Sequence, residues 1–100
     1  MDNFWYCRLT VLGSKARVER FQKSNWNRHL KARHGDLLEN SHGRFCCQFE
    51  ADDPPLESLK IMSRRWPKLT IVFDYEEQAK QVKGLAKAKA GVLDSYRMEY

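Results

Sequence analysis

Three histidines and two adjacent cysteines are the residues in this 100-residue chain whose types suit metal chemistry. His29 and His34 are separated by four residues in "HLKARH", a spacing compatible with a zinc pair. A tetrahedral zinc needs about four converging ligands, and His42, Cys46 and Cys47 would have to complete the set. "RFCCQFE" reads as a strand, where consecutive side chains point to opposite faces, so Cys46 and Cys47 cannot readily share one ion. No metal is expected, and Cys47 is expected to pack inward with Phe45 and Phe49. With Cys7 the cysteines number three, an odd count in a chain without a secretion-type leader, so free thiols are expected.

Nucleophilic catalysis needs a Cys or Ser beside a positioned base. Cys7 lies mid-strand with no helix N-terminus or Gly-rich turn beside it, and neither a Gly-x-Ser-x-Gly elbow nor a phosphate-binding loop occurs. Asp74, Glu76 and Glu77 could form an acid–base cluster, but they read as a solvated strand end. The chain is therefore expected not to be an enzyme, with no catalytic residue and no cofactor.

Charge suggests a different chemistry. The net charge is +5, and Lys15, Arg17, Arg20, Lys23, Arg28, Lys31 and Arg33 crowd one stretch against the single acid Glu19. If the C-terminal region is a hairpin, Lys83, Lys87 and Lys89 share one face of its first strand. Two such strips could follow a phosphate backbone, the sequence-independent term that dominates nucleic-acid affinity. The plain alternative is a solvated helix and a lysine-guarded edge. The eight-residue RNA-recognition signature is only partly present in "HGRFCCQF", where Arg44 and Cys46 occupy the two stacking positions. Nucleic acid is the leading partner. The rival is another protein, or self-assembly, through an open sheet face bearing Phe4, Tyr6 and Arg8 or through an edge strand.

These residues need elements to hold them. "NFWYCRLTVLG" reads as a strand closed by Gly13, and Ser14 can cap a helix over "KARVERFQKSNWNRHLKAR", with Val18 and Phe21 inward, Trp26 and Leu30 candidates for the same face in a second half that Asn25 and Asn27 weaken, and Gly35 a stop. Arg44–Glu50 is a strand, with a short partner at Leu37–Glu39. Asp52 or Asp53 caps a second helix whose first turn holds Pro54 and Pro55. Leu56, Leu59, Met62 and Trp66 form its buried stripe, and Pro67 stops it. "LTIVFDY" is a strand with Leu69, Ile71, Phe73 and Tyr75 on one face. "EEQAKQVKGLAKAKAG" has helix-forming composition, yet two strands around an Ala-Gly turn also fit the C-terminus.

Two segments, "NFWYCRLTVLGSKARVERF" and "FEADDPPLESLKIMSRRWPKLTIVFDYEE", resemble the YubB ferredoxin-like family of small plasmid- and phage-associated bacterial proteins. The second is the more specific, with a proline-led helix, Ser-x-x-aromatic-Pro-x-Leu-Thr and an acidic strand end. The resemblance implies that Trp66 plugs the core at a structural corner and that Gly84 and Gly91 belong to a terminal β-hairpin over Leu85–Tyr100. It supplies no activity. The chain departs from it in having "QAKQV" where the family usually has Pro-Gly. The expected architecture over residues 1–100 is a single ferredoxin-like α+β sandwich. Two helices pack on one antiparallel sheet of four to five strands. No apolar run approaches the roughly 18–20 residues of a membrane span, and a cytoplasmic location is expected.

Overall fold

In the computed structural model, which describes residues 4–100, burial alternates along the first strand, β1 (Trp5–Leu12). Trp5, Cys7, Leu9 and Val11 are buried while Tyr6 and Arg8 are exposed, the period-two pattern of a strand with one face on a core. Asn3, where the expected strand begins, lies outside the described residues. The Ser14 hydroxyl accepts the Arg17 amide at 3.3 Å and caps α1 (Lys15–Gln22), as expected. Val18 and Phe21 form its buried side.

The helix stops sooner than its composition suggests. The Ser24 hydroxyl donates to the Phe21 carbonyl at 2.5 Å, the local competition that makes serine a poor interior helix residue. A separate turn, α2 (Trp26–His29), follows, and Lys31 redirects the chain at φ +53. Gly35 is therefore not a helix stop. It lies within β2 (Arg33–Ser41), a nine-residue strand where only Leu37–Glu39 was expected. β2 pairs with β3 (Arg44–Ala51) through two register shifts.

Neither expected aspartate caps the next helix, α3 (Leu56–Arg65). Asp52 instead accepts from Arg33 of β2 at 2.7 Å in an exposed ion pair, and the helix begins only at Leu56, too late for either aspartate to sit at its cap position. Pro55 takes the cap position without a side-chain cap bond, so the prolines precede the first turn. Leu59 and Met62 are buried. Trp66 is only half-buried, which corrects the expectation that it plugs the core; its ring meets Phe21 edge-on at 5.6 Å. Pro67 follows, and Leu69, Ile71, Phe73 and Tyr75 face inward along β4 (Thr70–Glu77).

The C-terminus is a hairpin, β5 (Val82–Lys89) and β6 (Val92–Glu99), despite its helix-forming composition. Ala90 and Gly91 turn at φ +50 and +85, the two positive values of a type I′ turn. Tertiary contacts outweigh propensity here. Ala86 and Ala88 are buried, and α3 packs across β5 and β6. The buried Ser63 hydroxyl donates to the Lys60 carbonyl at 2.7 Å and accepts the Gly91 amide at 2.9 Å, tying α3 to the turn.

All six strands join one antiparallel sheet in the order β2-β3-β1-β4-β5-β6. The helices cover one face and leave the other open, so the α+β sandwich is as expected. The ferredoxin-like expectation is corrected: among the described residues there are six strands and three helices, not four to five strands and two. α2 supplies the added helix, and a hairpin with both strands in the sheet widens it beyond β4. Among the described residues no helix is long and apolar enough to cross a membrane.

Gly84 faces Tyr75 across β4 and β5, and a Cβ there would run into the Tyr75 ring. Gly84→Ala is expected to cost about 1–3 kcal/mol, the usual range for overpacking. Ala90→Asn, which suits a type I′ turn, should recover about 1 kcal/mol of left-handed strain. Thermal or denaturant unfolding of the two variants checks both signs.

Candidate nucleic-acid interface

Charge is segregated between the two layers. The helical segments 14–32 and 55–68 hold ten Lys and Arg against Glu19 and Glu57, a net of +8. The whole chain carries +5, so the remainder is net negative. Six of the ten, Lys15, Arg17, Arg20, Lys23, Arg28 and Lys31, are those singled out from sequence, and all are exposed. The other four come from α3 and its exit: Lys60, Arg64, Arg65 and Lys68. In "KIMSRRWPK" these cations are interleaved with Met62 and Trp66 of the inward stripe, so they form no run as long as that from Lys15 to Arg33.

Between these two basic flanks lies a cleft of about 340 Å³. Ser24, Trp26 and His29 line one wall, and Ile61, Arg65 and Trp66 the other. The tryptophans are half-buried, each backed by the Phe21 ring at 6.1 and 5.6 Å. Trp26 also meets Phe45 edge-on at 5.6 Å. Each indole is thus held by core aromatics while part of it reaches the cleft. At the rim Arg65 Nη1 lies 3.4 Å from His29 Nε2. Two aromatic walls with a guanidinium, Arg65, at the mouth can stack a planar base and hold its phosphate.

The remaining residues named from sequence are placed elsewhere. Arg33 sits on β2 and is engaged by Asp52. Lys83, Lys87 and Lys89 do share one face of β5, but it is the open face, opposite the helices. The two basic strips therefore lie on opposite sides of the sheet. Lys83 rests over the Tyr100 ring at 5.6 Å, and Lys87 is directly paired with Asp94.

Phe4, Tyr6 and Arg8 do lie together: the Phe4 and Tyr6 rings meet edge-on at 5.0 Å, and Tyr6 and Arg8 line a broad concavity of about 940 Å³ on the open face. That concavity is of mixed charge, with Asp36, Glu50, Asp74 and Glu76 in its lining beside Arg8, Lys83 and Arg97. Glu76 accepts from the Tyr100 hydroxyl, and this hydrogen bond raises the Tyr100 phenol above its ordinary value. A phosphate backbone laid here would meet those carboxylates. The central strands also offer it no aromatic platform beyond Tyr6, since Phe45 and Phe49 turn inward.

The candidate chemistry of the thiols and carboxylates resolves structurally. Cys47 is buried beside Leu9, and Cys46 lies on the other face, where the Thr10 hydroxyl contacts its sulfur at 3.4 Å. Among the described residues all three cysteines are free and buried, and no three His, Cys, Asp or Glu side chains converge as a metal group. Glu77, read from sequence as solvated, is buried at the β4–β5 turn with Lys80 at 3.5 Å. Its neighbours Asp74 and Glu76 point to the opposite face, so the three do not form one acid–base cluster.

No family model, no curated protein and no solved structure matches the chain.

Burial pushes the Cys7 and Cys47 thiols from 9.0 up to about 12, so both are held protonated and unreactive at neutral pH. Thiol labelling of the native protein is expected to be slow, with all three cysteines titrating on unfolding. The raised values also have a thermodynamic consequence. Their stabilisation is intact below pH 9 and falls as pH rises from 9 toward about 12, because the unfolded thiols ionise first. Denaturant midpoints across that window measure the decline. Cys7→Ala and Cys47→Ala should each flatten it.

Proposed function

We propose that this protein is a non-enzymatic module that binds single-stranded nucleic acid without sequence preference across its helical layer. The observation that carries the reading is the net +8 of that layer, set against a net negative remainder. Such a field draws in polyanions and orients them. The cleft between Trp26 and Trp66 supports the single-stranded form, because an unpaired base can leave its stack and lie on an aromatic surface. Its volume of about 340 Å³ falls in the range of about 300–1,000 Å³ typical of ligand pockets. The lysines of β5 play no part in this contact.

A second reading is favoured by Tyr6, Leu85, Tyr96 and Met98, large apolar residues exposed along the open face. Such a patch suits a polypeptide partner better than a phosphate backbone.

Fluorescent single-stranded oligonucleotides distinguish the two. Dissociation constants of about 10⁻⁴–10⁻⁶ M are expected at physiological salt. Affinity should fall with salt at a log–log slope of about −0.7 per phosphate neutralised on a single strand. The combined charge reversal Arg20→Glu, Lys23→Glu, Arg64→Glu and Arg65→Glu should abolish binding without unfolding the domain, since exposed charges contribute little to stability. Lys83→Glu, Lys87→Glu and Lys89→Glu together should leave it within about twofold. Binding that survives the first set, or none at low salt, sinks the proposal and leaves the open face in the lead.

A further inference from the structure

The two edges of the sheet are unlike each other. β2 at one edge is broken by two register shifts and contains His34 at φ +54. Bulges and irregularities of this kind keep an edge from recruiting a foreign strand. β6 at the other edge runs for eight residues in unbroken register with β5. It carries no lysine, no proline and no bulge, and it exposes Val92, Tyr96 and Met98 at 63%, 76% and 61%. Asp94, Arg97 and Glu99 put charge on it, but a long, regular edge that also exposes large apolar side chains is what proteins avoid leaving free.

Its unused hydrogen-bonding groups can be assigned. The Tyr100 amide donates inward to the Gln81 carbonyl at 2.8 Å, and inward and outward pairs alternate along an antiparallel ladder. Val92, Asp94, Tyr96 and Met98 therefore bond to β5. Leu93, Ser95, Arg97 and Glu99 present their amides and carbonyls outward.

We propose that β6 pairs antiparallel with β6 of a second copy about a two-fold axis through Tyr96. Such an axis is perpendicular to the sheet, so only registers that pair residues of the same face are allowed. Centring on Asp94 or Arg97 sets like charges directly opposite, which is destabilising. Centring on Ser95 shortens the overlap, because Ala90 and Gly91 are already turning. The Tyr96 register pairs Val92 with Tyr100, Leu93 with Glu99, Asp94 with Met98 and Ser95 with Arg97 of the second copy. No like charges face each other, and the outward groups of all four odd-numbered residues find partners. Tyr96 meets its own mate, an aromatic cross-strand pair. Arg97 does not obstruct it, since its guanidinium is drawn over the Trp5 and Tyr75 rings at 5.5 and 5.6 Å. The product is one continuous twelve-stranded sheet with both helical layers on the same side.

Sedimentation or light scattering should find a concentration-dependent dimer. Ser95→Pro, which removes an outward amide and leaves the β5 ladder intact, and Tyr96→Lys, which opposes two cations on the axis, should each give a folded monomer. Cross-linking reads the register without depending on those variants. At a non-hydrogen-bonded pair the Cα atoms lie about 4.5 Å apart, within the span of a disulfide, roughly 4.4–6.8 Å. Tyr96→Cys should therefore cross-link to its mate in most chains under mild oxidation. Asp94→Cys, four residues or about 13 Å out of step with its own mate, should not, and the native thiols are buried. A monomer up to millimolar concentration overturns the proposal and leaves the edge for a foreign strand. So does a dimer that resists both edge variants, or one that cross-links through Asp94→Cys or Ser95→Cys in preference to Tyr96→Cys.

Discussion

The close seating of α3 on β5 is the constraint on which the rest of the arrangement depends. β5 turns Gly84, Ala86 and Ala88 toward the helices, and side chains that small let a helix and a neighbouring ring come close. Tyr75 can then lie over Gly84, and the Arg97 guanidinium over Tyr75. Ser63 reaches the turn at Gly91, so one buried hydroxyl serves as donor to its own helix and acceptor from the hairpin. Larger inward residues on β5 would lift α3 and separate all of these contacts at once.

With α3 seated, the aromatic side chains of both layers close on Phe21, which is fully buried and contacts Trp26, Phe45 and Trp66. The same packing sets α2 opposite α3 and leaves a cleft between the two tryptophans. Trp26 and Trp66 are thus shared between two environments: one part of each indole belongs to the core and another to the surface of the cleft. The cations of two helices separated in sequence also converge on one layer. Like charges gathered in this way oppose folding slightly and are tolerated because they are solvated, and the field they create persists over about a Debye length, roughly 8–10 Å at ordinary ionic strength.

The two edges complete the division of labour. Asp52 draws Arg33 of β2 into an ion pair and Arg44 meets Glu39 at 2.8 Å, so the β2 edge is irregular and charged. The hairpin edge is regular and exposes Val92, Tyr96 and Met98 between its charged residues. A sheet with one protected and one unprotected edge grows in a single direction and stops after one pairing, which is how a two-fold contact avoids becoming a fibre.

Much of this was present in local patterning. Alternation in Trp5–Leu12 and Thr70–Glu77, the Ser14 cap, the stop at Pro67 and the opposed faces of Cys46 and Cys47 follow from steric and hydrogen-bonding rules that act within a few residues. The cations of α1 were equally plain. Other features required distant partners. Asp52 looks like a helix cap until Arg33 is brought beside it by the β2–β3 pairing. Glu77 looks solvated until the β4–β5 turn folds over it. "LAKAKA" is helical by propensity, and only the cover of α3 on its small residues makes it a strand. Whether the lysines of β5 join the basic layer is likewise decided by the parity of a register, which places them on the far side of the sheet. Local sequence determined which elements form at both ends of the core, because their signals lie within one turn or one strand. The tertiary structure decided which charges share a face and which edge is left open, because those depend on pairings between residues far apart in the chain.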